Sequence, residues 1–242
     1  MRDGKFFIVG VGPGDPELMT VKAARIVAAV PVVAFFAKSG RVGHARSIVD
    51  GQMHEGAEAL RFEYPFTTEV AVGNPRYLAG MGAFYEDCAA RLLERLKAGR
   101  DVALLCEGDP FLYGSAMYLF DRVSVAYPAE VVPGVTGMSG CWTRANQPMA
   151  HGDDVLSVMP GTLDEASLVA RLKLCDAAVI MKVGRNLPKI CRALNEAGLF
   201  GRAIYVERGT MDGERIVKLC EREDGPAPYF SMVLVPGRRH AR

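Results

Sequence analysis

Asp101-Val102-Ala103-Leu104-Leu105-Cys106 runs directly into Glu107-Gly108-Asp109-Pro110-Phe111-Leu112-Tyr113-Gly114. A short, almost wholly apolar run closed by a glycine turn reads as a strand buried on both faces. Ahead of it stands the easiest helix in the chain to read. Asn74 caps it, Pro75 suits its first turn, and Tyr77, Met81, Phe84, Cys88, Leu92 and Leu96 form one stripe before Gly99 ends it. A helix feeding a buried strand that leaves through glycine implies a mainly parallel sheet with helices on its faces.

The same rhythm extends toward the N-terminus. Lys5 to Val11 is a short apolar run ending in glycines, a buried strand by the same reasoning. Thr20 is an N-cap for a helix whose face carries Val21, Ala24, Val27 and Ala28. Pro31 pushes Val30 out of helical geometry, so Val32–Phe36 reads as a second strand. Lys38 to His44 is glycine-rich and basic, and reads as a loop. Beyond Tyr127 the strand candidates crowd together at 154–159, 177–182, 203–207, 215–219 and 229–235, with one clear helix from Leu187 to Ala197. Closer strands imply hairpin connections and a mixed sheet. The expected organisation is two α/β domains, 1–127 and 128–242, with no repeat relating them.

Composition narrows the function classes. The 242 residues carry 29 basic and 28 acidic side chains, so no global basic field exists to hold nucleic acid. The longest uncharged apolar run, Ile26 to Ala37, is interrupted by Pro31 and falls short of the ~18 residues that suggest a bilayer span. Met1-Arg2-Asp3-Gly4-Lys5 has no leader pattern, and a cytoplasmic protein is expected. None of the six cysteines lies within four residues of another, so reduced, packed thiols are expected. His44, His54, His151 and His240 show no metal-ligand spacing, and no metal is expected.

Three glycine-bearing loops each follow an apolar strand: Gly10-Val11-Gly12-Pro13-Gly14-Asp15-Pro16, Glu107 to Gly114, and Val132-Pro133-Gly134-Val135-Thr136. Ligands on α/β sheets collect at the carboxyl ends of strands, and glycine lets main-chain groups approach a ligand. Three such loops therefore point to a shared cleft rather than to packing. The first has G-x-G-x-G spacing, not G-x-G-x-x-G, and Pro13 lacks the N–H that a pyrophosphate would use. No phosphate-binding G-x-x-x-x-G-K-[ST] occurs. Asp109 also fits a turn-forming role before proline.

These three loops together resemble the tetrapyrrole methyltransferases, and the resemblance continues through Met181-Lys182-Val183-Gly184-Arg185 and Val206-Glu207-Arg208-Gly209-Thr210-Met211. It covers essentially the whole chain in order. Leu105 to Pro110, Val158-Met159-Pro160-Gly161-Thr162-Leu163 and Ile180 to Asn186 are most similar to the branch that methylates C20 of precorrin-2. Many family members have Gly where this chain has Glu107; that branch accepts Glu. The resemblance implies a two-domain α/β fold with the ligand in the trough between domains, a homodimer, and S-adenosylmethionine as methyl donor. It assigns Pro13, Glu107, Gly108, Asp109, Tyr113, Thr136, Met181 and Gly209 to the donor pocket. A donor with a sulfonium and no phosphate suits a proline-bearing loop better than NAD does. The acetate and propionate arms of the acceptor need cationic or main-chain partners, and Lys38, Arg41, His44, Arg46, Arg144 and Arg185 are the candidates. No spacing nominates a catalytic base.

Other readings remain open. The same carbon is methylated on cobalt-factor II, a related enzyme could act at another ring position, and a non-catalytic nucleotide-binding regulator would share a Rossmann-like sheet. The absence of an acidic residue just after Val32–Phe36 counts against the last. For a dimer contact, Met81-Phe84-Cys88 is one stripe to test.

Overall fold

The computed structural model describes residues 2–66 and 74–237. The chain forms two compact units, Met1–Gly137 and Met138–Arg242.

In the first unit β1 (Phe6–Gly10), α1 (Val21–Val27), β2 (Val32–Ala37), α2 (His44–Ile48), β3 (Glu58–Glu63), α3 (Pro75–Lys97), β4 (Val102–Cys106), α4 (Ala116–Val123) and β5 (Ala129–Val132) follow in order. The strands form one sheet, β3-β2-β4-β1-β5, in which every pairing is parallel. All five carboxyl ends therefore lie on one edge. β1 and β4 are buried along their whole length, as the unbroken apolar runs require.

Local chemistry explains the helices. The Thr20 hydroxyl accepts the Ala23 N–H at 3.1 Å and starts α1. Its buried face is Ala23, Ile26 and Val27, continued by Val30, while Val21 is 88% exposed. The core chose the stripe containing Ile26 over the one containing Val21. Asn74 accepts the Arg76 N–H at 2.9 Å to cap α3, and Gly99 closes it at φ 77°. Met81 and Cys88 on α3 are buried among core residues of the first unit, so that stripe is core rather than an exposed dimer contact. In this unit β3, α2 and α4 escaped the sequence reading. β3 is an edge strand whose Leu60 and Phe62 point inward, and α2 is a single short turn hidden at the end of the basic loop.

β5 pairs with β1, Phe6 opposite Ala129 through Val9 opposite Val132. This pairing moves the boundary from the expected Tyr127–Pro128 to Gly137–Met138. The turn rhythm at Tyr127 marks the entry to an edge strand of the first sheet.

The second unit opens with α5 (Gly137–Arg144) and continues through β6 (Leu156–Pro160), α6 (Glu165–Lys173), β7 (Ala177–Met181), α7 (Leu187–Glu196), β8 (Ile204–Glu207), β9 (Arg215–Lys218) and β10 (Ser231–Val235). Its sheet, β6-β7-β10-β8-β9, is mixed: β6 and β7 are parallel, and β10 runs antiparallel to β7 and β8. The carboxyl ends of β6, β7 and β8 thus share an edge. One face packs under α6 and α7 around Leu168, Ile180, Ile190, Leu194 and Tyr205; the other packs under α5 around Cys141, Val206 and Leu234. Among the described residues no helix is long and apolar enough to cross a membrane.

Candidate functional site

The parallel order of the first sheet brings the three glycine loops to one edge, because β4, β1 and β5 are neighbours there. Their glycines interlock. Gly12 and Gly108 form a bridge, with the Gly108 N–H donating to the Gly12 carbonyl at 2.7 Å. A Cβ on Gly134 would stand 2.1 Å from the Gly108 oxygen and 3.0 Å from the Gly10 Cα. A Cβ on Gly10 would stand 2.6 Å from the Gly134 nitrogen. Sequence reasoning took these glycines as room for a ligand; Gly10 and Gly134 are also required for main chain to pack on main chain. The contact is non-local, so no single loop reveals it.

Asp109 completes the interlock. Its Oδ1 accepts the Phe111 N–H at 2.9 Å, forming the turn, and its Oδ2 accepts the Gly134 N–H at 3.2 Å, tying the second loop to the third. The carboxylate shapes the edge through its loops. Pro13 and Gly108 are buried, Thr136 is half-buried beside Gly108, and Tyr113 is 43% exposed.

Glu107 reaches the other way. β2 lies beside β4, so the basic loop after β2 lies beside the loop after β4. The Ala45 N–H of α2 donates to Glu107 Oε1 at 3.1 Å. Surrounding protein pushes the Glu107 carboxyl above the usual carboxylate range, while that backbone N–H and its own pull it back in part. The residue is nevertheless still reached by water.

Of the candidate cations in this unit, Lys38 and Arg41 are exposed, and the Lys38 carbonyl is held by the Arg61 guanidinium at 2.9 Å. Burial and Lys38 push the His44 pKa below the ordinary histidine value, so His44 is largely neutral at pH 7. It can offer hydrogen bonds to an acidic arm there, but little charge. Arg46 pairs with Asp50 at 3.0 Å along α2. Burial pushes the Cys106 thiol up to about 12, which removes it as a neutral-pH nucleophile or base.

In the second unit Met181 ends β7, and its carbonyl accepts the Gly161 N–H at 2.6 Å. Gly209 follows β8 and packs on α5, where a Cβ would lie 2.8 Å from Cys141 Sγ. Met181 and Gly209 therefore share the sheet edge that carries the ends of β7 and β8. Arg185 is exposed just beyond Met181. Arg144 is less available than the sequence suggests: its guanidinium pairs with Glu214 at 2.8 Å. Arg144 holds the Glu214 carboxyl below its usual range, and Glu214 also accepts the Thr210 N–H at 2.8 Å. That network fixes the turn carrying Gly209.

A further signal was invisible in the sequence. Five non-glycine residues among those described have positive φ: Tyr113 (59°), Asn146 (51°), Lys182 (54°), Arg208 (47°) and Thr210 (68°). Apart from Asn146, whose residue type tolerates that conformation, each is a candidate site residue or its direct neighbour. Residues held in this way gather at ligand sites, where the surrounding structure over-determines them. Nothing in a Lys, Arg or Thr advertises it beforehand. Among the described residues no group of His, Cys, Asp and Glu could hold a metal; His240 lies outside them.

The family model of the tetrapyrrole (corrin/porphyrin) methylases matches residues 5–223. The chain is 51% identical over 234 residues to a precorrin-2 C(20)-methyltransferase from Sinorhizobium sp, covering 97% of this chain and 96% of that protein. It is 32% identical over 238 residues to a cobalt-precorrin-2 C(20)-methyltransferase from Salmonella typhimurium, covering 96% of each. The fold is similar to the crystal structure of a uroporphyrin-III C-methyltransferase from Thermus thermophilus complexed with S-adenosyl homocysteine. There the TM-score is 0.65 and the identity 23%, covering 96% of this chain and 92% of that one.

Proposed function

This chain belongs to the tetrapyrrole (corrin/porphyrin) methylases, and from that premise we propose that it transfers the methyl group of S-adenosylmethionine to C20 of precorrin-2. The products are precorrin-3A and S-adenosylhomocysteine, a step of cobalamin biosynthesis. The observation that carries the reading is the 51% identity to a precorrin-2 C(20)-methyltransferase over nearly the full length of both proteins. The lower identity, 32%, to the cobalt-precorrin-2 enzyme favours the metal-free acceptor over cobalt-factor II.

The edge of the first sheet suits the donor. Its loops are shaped by main chain around Gly10, Gly108 and Gly134, with Pro13 in place of a phosphate-binding N–H. Pro13, Glu107, Gly108, Asp109, Tyr113 and Thr136 would form the donor surface of the first unit, and Met181 and Gly209 that of the second. Lys38 and Arg41 are the best placed cations for acidic arms, with His44 as a neutral donor and Arg185 as a further exposed cation. Arg46 and Arg144 would act mainly by bracing their own elements. Bringing an aligned methyl donor and an enamine-like carbon together can supply roughly 7–11 kcal/mol of the barrier reduction, so positioning is the main demand on the protein. A homodimer working in the cytoplasm completes the proposal.

The test is anaerobic incubation with precorrin-2 and methyl-labelled S-adenosylmethionine, followed by carbon NMR. One new methyl carbon at C20 is expected. Transfer only to cobalt-factor II would reassign the acceptor, and silence with both would sink the C20 reading.

A further inference from the structure

We infer that Glu107 is the catalytic base that removes the C20 proton after methyl transfer; this rests on the C20 reading above. Glu107 stands at the carboxyl end of β4, the strand between β2 and β1, beside the glycine interlock and the α2 turn. Its Oε1 is held by the Ala45 N–H at 3.1 Å, which orients the carboxylate, and no side chain engages Oε2 among the described residues. Water reaches the residue, so a substrate can.

The neighbouring groups are otherwise engaged or carry the wrong chemistry. Both Asp109 oxygens accept main-chain N–H groups. Asp15 Oδ1 accepts the Glu17 N–H at 2.9 Å. Glu63 pairs with Arg61 at 2.9 Å. The buried Cys106 thiol stays protonated, and Lys38 is a cation. Among the described residues His44, next to Ala45 in sequence, is the competing base to test.

The step balances without a further reagent. The C20 electron pair forms the C–CH3 bond as the S–CH3 bond breaks, and that bonding pair stays on sulfur. The C20–H bond then breaks, its pair restores the ring double bond, and the proton passes to Glu107 Oε2. Crowding by protein raises the basicity of the carboxylate, the direction that favours a general base. Because the base acts ionised, kcat should rise with pH through the Glu107 pKa. The titratable groups on its own segment are Cys106 and Asp109, and α2, which holds it through the Ala45 N–H, carries His44.

Glu107→Gln tests the assignment, because the amide oxygen still accepts the Ala45 N–H. Steady-state kinetics with precorrin-2 across the accessible pH range should show kcat lowered roughly 10²-fold or more and the acidic limb lost. A primary isotope effect should appear with C20-deuterated acceptor, and acetate should partly rescue Glu107→Ala. If Glu107→Gln keeps wild-type kcat and its acidic limb while Glu107→Ala is impaired, Glu107 only positions α2 and the inference fails. If the limb survives in Glu107→Gln and vanishes in His44→Gln, the base is His44. A wild-type chain that labels neither acceptor at C20 overturns the functional reading and this assignment together. An active wild type with an equally active Glu107→Gln overturns this assignment alone.

Discussion

Gly134 shows how one missing methyl group organises the donor edge. Its Cβ position is 2.1 Å from the Gly108 oxygen, and both contacting partners are main chain, which cannot swing aside as a side chain would. Gly134→Ala is therefore expected to lower stability by about 2 kcal/mol or more, read as a shifted urea midpoint. Gly137→Ala, where nothing lies within 4 Å, should stay within about 0.5 kcal/mol of wild type. Equal effects at the two positions would refute the interlock. At this scale the sequence was half legible. It showed that Gly10, Gly108 and Gly134 end strands, but the reason for two of them is a contact among three distant loops. Asp109 likewise reads as a turn former through Phe111, and its hold on Gly134 depends on β5 lying beside β1. The left-handed Lys182, Arg208 and Thr210 carry no residue-type signal at all.

Glu58 joins three elements and carries the clearest acid sensitivity among them. It opens β3 and takes Arg95 of α3 at 3.0 Å and Arg100, just before β4. Burial is the largest single influence and raises its pKa, but the hydrogen bonds and charges of Arg100 and Arg95 together outweigh it, and the net shift is downward. A depressed carboxylate contributes stability that is present above its unfolded pKa, about 4.3, and lost as pH falls through the folded value. Glu58→Gln should cost about 1 kcal/mol at pH 7, because the group is partly exposed, and the gap to wild type should begin to narrow as pH falls below the unfolded value of about 4.3. A gap that does not narrow at all on acidification would show that packing, not charge, holds β3. Elements with strong local signals were readable: β4 as an apolar run, α3 between Asn74 and Gly99, and the five later strands. β3 was missed because charges alternate with its two core residues, and α2 because a single helical turn has no periodicity to detect. α5 and α6 are also short, and their apolar residues sort by which face of the second sheet they cover.

For the whole molecule, the formal net charge of +1 leaves recognition to local chemistry rather than to a global field. The donor proposal then makes a global prediction, since a ligand bound only by the native state stabilises it by mass action. S-adenosylhomocysteine at 100 times its Kd should add about 2.7 kcal/mol, visible as a raised Tm, while NAD at the same concentration should leave Tm unchanged. The reverse ranking would return the chain to the nucleotide-binding reading. Fold class was legible at this scale because two sheets with different connection lengths leave different rhythms in the sequence. The division between units was less so, since β5 belongs to the first sheet although the chain rhythm changes before it. The glycine interlock also bears on how such a protein can drift. Every glycine codon is one nucleotide from an alanine codon, and at Gly10 and Gly134 that smallest of side-chain additions meets carbonyl and amide atoms of another loop. Laboratory selection for altered donors would find few viable paths through these loops, and variation would have to enter through side chains around the rim.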